Sequence, residues 1–116
     1  MKRLLLALVG VLTASPALAT GGFVCRTAGA NPVEVAVGFG HVPGSPLILT
    51  RLTENRRQVP VQSAQWWLDN REMRLVLISP DAMRQELVLR ARRSGHVYDG
   101  SAVRNGRNHW VRCGED

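Results

Sequence analysis

Val97-Tyr98-Asp99-Gly100-Ser101-Ala102-Val103-Arg104-Asn105-Gly106-Arg107-Asn108-His109-Trp110-Val111-Arg112-Cys113 is the stretch whose reading decides the fold. Asn-Gly between two strand-like runs is the strongest short hairpin signal, because both residues tolerate the positive φ of a right-twisted two-residue turn. With Asn105 and Gly106 as the loop, Arg104 lies opposite Arg107 and the whole register follows. Tyr98 then faces Cys113, Gly100 faces Val111 and Ala102 faces His109 on one side of the ladder. On the other side Asp99 faces Arg112 and Ser101 faces Trp110. Opposite charges directly across a ladder stabilise it, so Asp99 and Arg112 support this register. Arg104 and Arg107 oppose it slightly, but beside a loop both side chains can splay into water.

The same period of two runs upstream. Val33, Val35, Val37 and Phe39 alternate with Glu34, Ala36 and Gly38 as in a half-buried strand. Turn residues fill 40–46, and a second strand over 47–53 ends at Glu54-Asn55-Arg56-Arg57. A third run covers 59–67, where Pro60 marks an edge position or a strand start. Asp69-Asn70 supplies a tight turn that pairs Trp66 with Met73, which makes Trp66 the core member of the Trp66-Trp67 pair and Trp67 the exterior one. Met73, Leu75 and Leu77 then alternate with Arg74, Val76 and Ile78.

One segment carries two signals. Ser79-Pro80-Asp81 reads as a helix start, with Ser79 as N-cap and Pro80 at the first helical position. Leu87, Leu89 and Ala91 nevertheless alternate with Val88, Arg90 and Arg92. The expectation is a single helical turn near residues 80–85 followed by a strand. The fold class is therefore all-β: a small antiparallel meander of seven or eight strands closed as a barrel, with a sandwich as the alternative.

With 116 residues, 45% hydrophobic content and a mean hydropathy of −0.08, the chain is one domain, neither a disordered polyelectrolyte nor a helical membrane bundle. Lys2 and Arg3 precede an apolar run over residues 4–12, and Ala17-Leu18-Ala19 follows as a small-x-small cleavage site. This is the pattern of a signal peptide cleaved after Ala19. The run is shorter than the ~20 residues a transmembrane helix needs, so no span is expected after cleavage. Export to the periplasm or beyond makes Cys25 and Cys113 a disulfide joining the first and last strands, worth on the order of 4–5 kcal/mol by chain entropy.

The chemistry-bearing residues form no standard catalytic set. His41, His96 and His109 have no metal-ligand spacing, no serine stands in GxSxG, and no Walker or GxGxxG loop is present. No enzyme activity, cofactor or metal is expected. The formal charge of +6 rests almost wholly on arginine, interleaved with carboxylates, which does not suit nucleic acid. Arg90, Arg92 and Arg93 with Arg84 form the densest run, and Arg104, Arg107 and Arg112 follow on the last hairpin. Guanidinium forks grip carboxylate or phosphate, and an exterior Trp67 beside them suits a sugar ring or a protein. One function class is thus a binder of an anionic glycan or lipid headgroup.

Another comes from likeness. An early cysteine, a late cysteine, a signal peptide and Ser94-Gly95-His96-Val97-Tyr98 together resemble the bacterial periplasmic inhibitors of C-type lysozyme, which carry a Ser-Gly-x-x-Tyr loop. The resemblance implies an eight-stranded antiparallel barrel, with C-type lysozyme as partner. It also implies that Ser94 hydrogen-bonds near the lysozyme carboxylates and that Tyr98 braces the loop. The family's second motif, a Tyr followed by Lys-Gly, has no match here; Asn105-Gly106-Arg107 stands nearest and lacks the lysine.

Overall fold

Alternating apolar residues make strands along nearly the whole of the described chain. The computed structural model describes residues 21–40 and 47–115. The leader sequence read over residues 1–19 and the turn residues 41–46, with His41, lie outside them. Among the described residues nine strands follow one another: β1 (Gly21–Thr27), β2 (Val33–Phe39), β3 (Leu47–Glu54), β4 (Arg57–Val59), β5 (Gln62–Leu68), β6 (Glu72–Ile78), β7 (Gln85–Ser94), β8 (Val97–Arg104) and β9 (Arg107–Glu115). They form one antiparallel sheet in the order β4-β3-β2-β1-β9-β8-β7-β6-β5, curled into a half-barrel. Every strand pairs with a sequence neighbour except where β1 meets β9, which brings the two ends of the described chain together at mid-sheet.

The all-β antiparallel reading holds, while three finer expectations need correction. Strands number nine, not seven or eight, because Pro60 splits the expected run over 59–67 into β4 and β5. Proline offers no N–H to a ladder, and here the chain turns from one edge of the sheet to the other across Pro60-Val61. For the same reason the sheet is a half-barrel whose edges are β4 and β5, rather than a hydrogen-bonded closed barrel or a two-sheet sandwich. The expected helical turn near 80–85 is absent: residues 79–84 form an irregular loop and β7 already begins at Gln85. Ser79 organises that loop, its Oγ donating to Asp81 Oδ1 at 2.6 Å and accepting from the Arg84 amide at 3.1 Å. Ala82 turns the backbone left-handed (φ 64°), which ends any helical path.

The Asn105-Gly106 hairpin has the register read from the sequence, from Arg104 opposite Arg107 to Tyr98 opposite Cys113. Arg112 Nε donates to Asp99 Oδ1 at 2.7 Å. The β5–β6 hairpin differs. Trp66 faces Leu75 rather than Met73, and four residues, 69–72, separate the first pair, Leu68 and Met73. Asp69 causes the longer turn, because its carboxylate holds two amides within it. A slip of two residues keeps side-chain parity, so Trp66 still packs on the core and Trp67 still faces outward.

Inward residues of all the long strands build one core, with Leu52, Met73, Leu75 and Leu77 fully buried. Cys25 and Cys113 are direct register partners on β1 and β9 and form the disulfide, closing a sequence separation of 88. Different groups fill the two ends of the half-barrel. At one end Tyr98, Phe23, Phe39 and Trp66 touch in succession, with ring centroids 5.3, 5.6 and 5.8 Å apart. The last contact links β2 to edge strand β5, across the opening that no ladder closes.

At the other end Arg104 fills the interior. It does not splay into water beside the loop, as the sequence reading allowed: it is 7% exposed. Its Nη1 donates to Glu86 Oε1 at 2.7 Å and to the Glu86 carbonyl at 3.1 Å, and Nη2 donates to Glu54 Oε1 at 2.9 Å. The side chain points to the inner face by the same parity as Tyr98 and Ala102, and two carboxylates offset its desolvation.

Candidate functional site

Ser94 and Tyr98 frame a two-residue hairpin, with Ser94 opposite Val97 and Gly95-His96 as the loop. Gly95 occupies the first loop position at φ 65°, a conformation that costs glycine nothing and a side chain about 1–2 kcal/mol. Ser94 is exposed at this tip, and no hydrogen bond holds its Oγ among the described residues. Tyr98 points the opposite way, into the core against Phe23. Its hydroxyl donates to the Asp69 carbonyl at 2.7 Å, which ties the hairpin to the β5–β6 turn. Burial pushes the pKa of that hydroxyl above its ordinary value, so it remains a donor.

The β5–β6 turn is locked in its own right. Asp69 Oδ1 accepts from the amides of Arg71 and Glu72 at 2.8 and 2.9 Å, and Oδ2 accepts from Trp67 Nε1 at 2.8 Å. These bonds, the backbone ones first, hold the Asp69 carboxyl below the usual aspartate range. Arg93 clamps the two turns together, its amide donating to the Arg71 carbonyl at 2.8 Å and its Nε to the Gly95 carbonyl at 3.1 Å. Between them lies a cleft of about 650 Å³ lined by Asn70, Arg71, Glu72, Arg92, Arg93 and Gly95. Three guanidinium groups face one carboxylate there, so the cleft beside Ser94 favours an anionic group.

The remaining residues singled out from the sequence fall into two places. Arg90, Arg92 and Trp67 all lie on the outer face of the sheet, Arg92 also lining the cleft. Arg107 is exposed at the start of β9, at the opposite end from the cleft, and joins none of them. Outward residues form cross-strand rows. One runs Glu72-Arg92-Asp99-Arg112-Arg26-Glu34 over six strands, and ion pairs join Arg112 to Asp99 and Arg26 to Glu34. The next runs Trp67-Arg74-Arg90-Ser101-Trp110.

Sequence reasoning passed over Asp69, Arg71 and Trp110 as site residues. Trp110 was within reach, since the hairpin register put it opposite Ser101 on the same side of the ladder as the charged pair Asp99 and Arg112. Asp69 and Arg71 were not, because nothing local sets the turn at 69–72 beside the one at 95–96. Among the described residues no three His, Cys, Asp or Glu side chains gather to hold a metal ion. No described helix is long and apolar enough to cross a membrane. Comparison with protein-family models, curated proteins and solved structures finds no match to this chain.

Proposed function

We propose that the protein is an exported, non-enzymatic binding protein of the bacterial envelope that presents the Ser94–Tyr98 hairpin to the cleft of a C-type lysozyme and blocks it. The observation carrying this reading is the exposed tip at Ser94-Gly95, tied to its neighbouring turn through Tyr98 and Arg93 and flanked by guanidinium groups that form no ion pair among the described residues. A preorganised tip binds without the entropy cost of ordering a loop. Glycoside hydrolases of this kind work with a pair of carboxyl groups in their cleft. Ser94 Oγ and the guanidinium groups of Arg92 and Arg93 are the donors such a pair would meet.

The cleft is lined by one carboxylate, that of Glu72. Glu72 is gripped by Arg74 at 3.1 and 2.8 Å, and this hydrogen bonding, despite partial desolvation, holds its pKa below the ordinary value. A carboxylate so held is a poor general acid. Export rests on the leader pattern over residues 1–19, and the Cys25–Cys113 disulfide fits an oxidising compartment.

The test is a cell-wall lysis assay with C-type lysozyme and disulfide-intact protein beginning at Thr20. The expected result is suppressed lysis that Ser94→Ala weakens by about fivefold, the equivalent of one hydrogen bond of about 1 kcal/mol. Undiminished lysis at excess protein would sink the reading.

A further inference from the structure

Six aromatic residues serve the whole chain, and four of them form the plug at one end of the half-barrel. The other two, Trp67 and Trp110, are 45% and 56% exposed. Tryptophan is among the side chains best served by burial, so leaving two in water calls for a reason. Both lie on the outer face, and the register places them in the same cross-strand row, with Arg74, Arg90 and Ser101 between them. Four strand spacings of about 4.8 Å separate the two indoles, a span of about 19 Å along the sheet.

We propose that this outer face over β5–β9 is a second binding site, for a carboxylate-bearing glycan chain lying across the strands from Trp67 to Trp110. Beside Trp110 the face sinks into a depression of about 400 Å³ whose lining includes Arg90, Arg92 and Ser101 together with two carboxylates, Glu72 and Asp99, each already paired to an arginine, Arg74 and Arg112. A pyranose stacked on the Trp110 indole would set its carboxylate toward Arg90, and a guanidinium takes a carboxylate in a two-point fork. Arg74 is already engaged by Glu72, whereas no hydrogen bond or ion pair occupies Arg90 among the described residues. Trp67, half-exposed and anchored by its Nε1 bond to Asp69, supplies the far stacking surface.

Two features favour a glycan over an anionic bilayer. A bilayer would meet the whole face at once, Glu34 included, whereas a glycan following the Trp67–Trp110 row meets only Glu72 and Asp99, whose charges Arg74 and Arg112 already balance. Insertion into lipid would also need free apolar side chains, and the Trp67 indole nitrogen is bonded to a charged carboxylate.

The experiment is native gel retardation and calorimetry of the disulfide-intact protein with alginate oligosaccharides as the uronic-acid probe. Dextran serves as the neutral control and phosphatidylglycerol vesicles as the lipid control. Expected are binding to alginate that weakens as salt rises, no binding to dextran, and none to the vesicles. Trp110→Ala and Arg90→Ala should each weaken hexasaccharide binding by about tenfold with the thermal midpoint kept, the loss of one stacking or one charge-assisted contact. Trp67→Ala should weaken the hexasaccharide but not a disaccharide, which is too short to reach both indoles. The proposal is overturned by absent alginate binding, by equal binding to dextran, by variants that bind as wild type, or by vesicle binding that the same variants abolish.

Discussion

The two ends of the half-barrel solve one problem with opposite chemistry. A curled sheet with unpaired edges leaves its interior open above and below the core, and each end must be filled. At the end carrying the 69–72 and 95–96 turns, four rings pack from β8 to β5 and a single hydroxyl, that of Tyr98, joins them to the backbone. At the other end one guanidinium spans the interior from β8 to β3 and β7. The aromatic end gains from contact area and needs no exact partner. The ionic end stands only while charge is balanced, since a buried ion left alone costs several kcal/mol. The candidate site sits on the aromatic end, where tips and cleft can vary in charge without unbalancing what lies beneath.

The sharpest break in this comparison is Arg104→Met. It leaves the buried Glu86 carboxylate with only the solvent-exposed Arg84 as partner and should cost about 3–5 kcal/mol in urea unfolding, whereas the double variant Arg104→Met/Glu86→Leu should recover most of the loss. If the single and double variants were equally unstable, packing rather than charge would govern that end. A smaller change is expected at the aromatic end. Tyr98→Phe keeps the rings in contact and removes only the bond to Asp69, for about 1–2 kcal/mol, and should loosen the cleft enough to be read as faster amide exchange at Arg71 and Glu72.

The mildest probe is acid. Burial alone would raise the pKa of Glu86, but hydrogen bonds from Arg104 and Arg84 outweigh it and hold it below the ordinary 4.5. A folded-state pKa below the unfolded one means stability that is complete above the unfolded value and lost as pH falls through the folded one. The urea midpoint should therefore stay level from neutral pH to about 4.5 and decline below it. Asp69 adds to the same slope at still lower pH, since its ordinary value is 3.8 and it too is lowered. The double variant should flatten the Glu86 share and leave the Asp69 share; an unchanged profile would mean that Glu86 is not the group titrating.

Legibility followed the range of the interaction. The Asn105-Gly106 hairpin is local, and its register and its Asp99–Arg112 pair both followed from the chain. The inward and outward faces of Trp66 and Trp67 also followed, although the register was two residues off, because parity survives an even slip. Ser79-Pro80-Asp81 misled because the groups that cap a helix also build a turn, and only the continuation at Ala82 separates the two. Arg104 misled more deeply: beside a loop, arginine has every local reason to enter water. Its partners Glu54 and Glu86 lie 50 and 18 residues away.

Alternation of apolar side chains, turn dipeptides and paired cysteines by themselves determined an antiparallel all-β domain whose first and last strands are joined by a disulfide. Those signals act between residues adjacent in sequence or directly across a hairpin, where backbone geometry leaves few choices. The tertiary structure alone decided how far the sheet closes, which arginine is buried and which are free, and that two turns meet around a basic cleft. It alone aligned Trp67 with Trp110, since that alignment is the product of four successive registers, and an odd slip in any one would have turned one indole into the core.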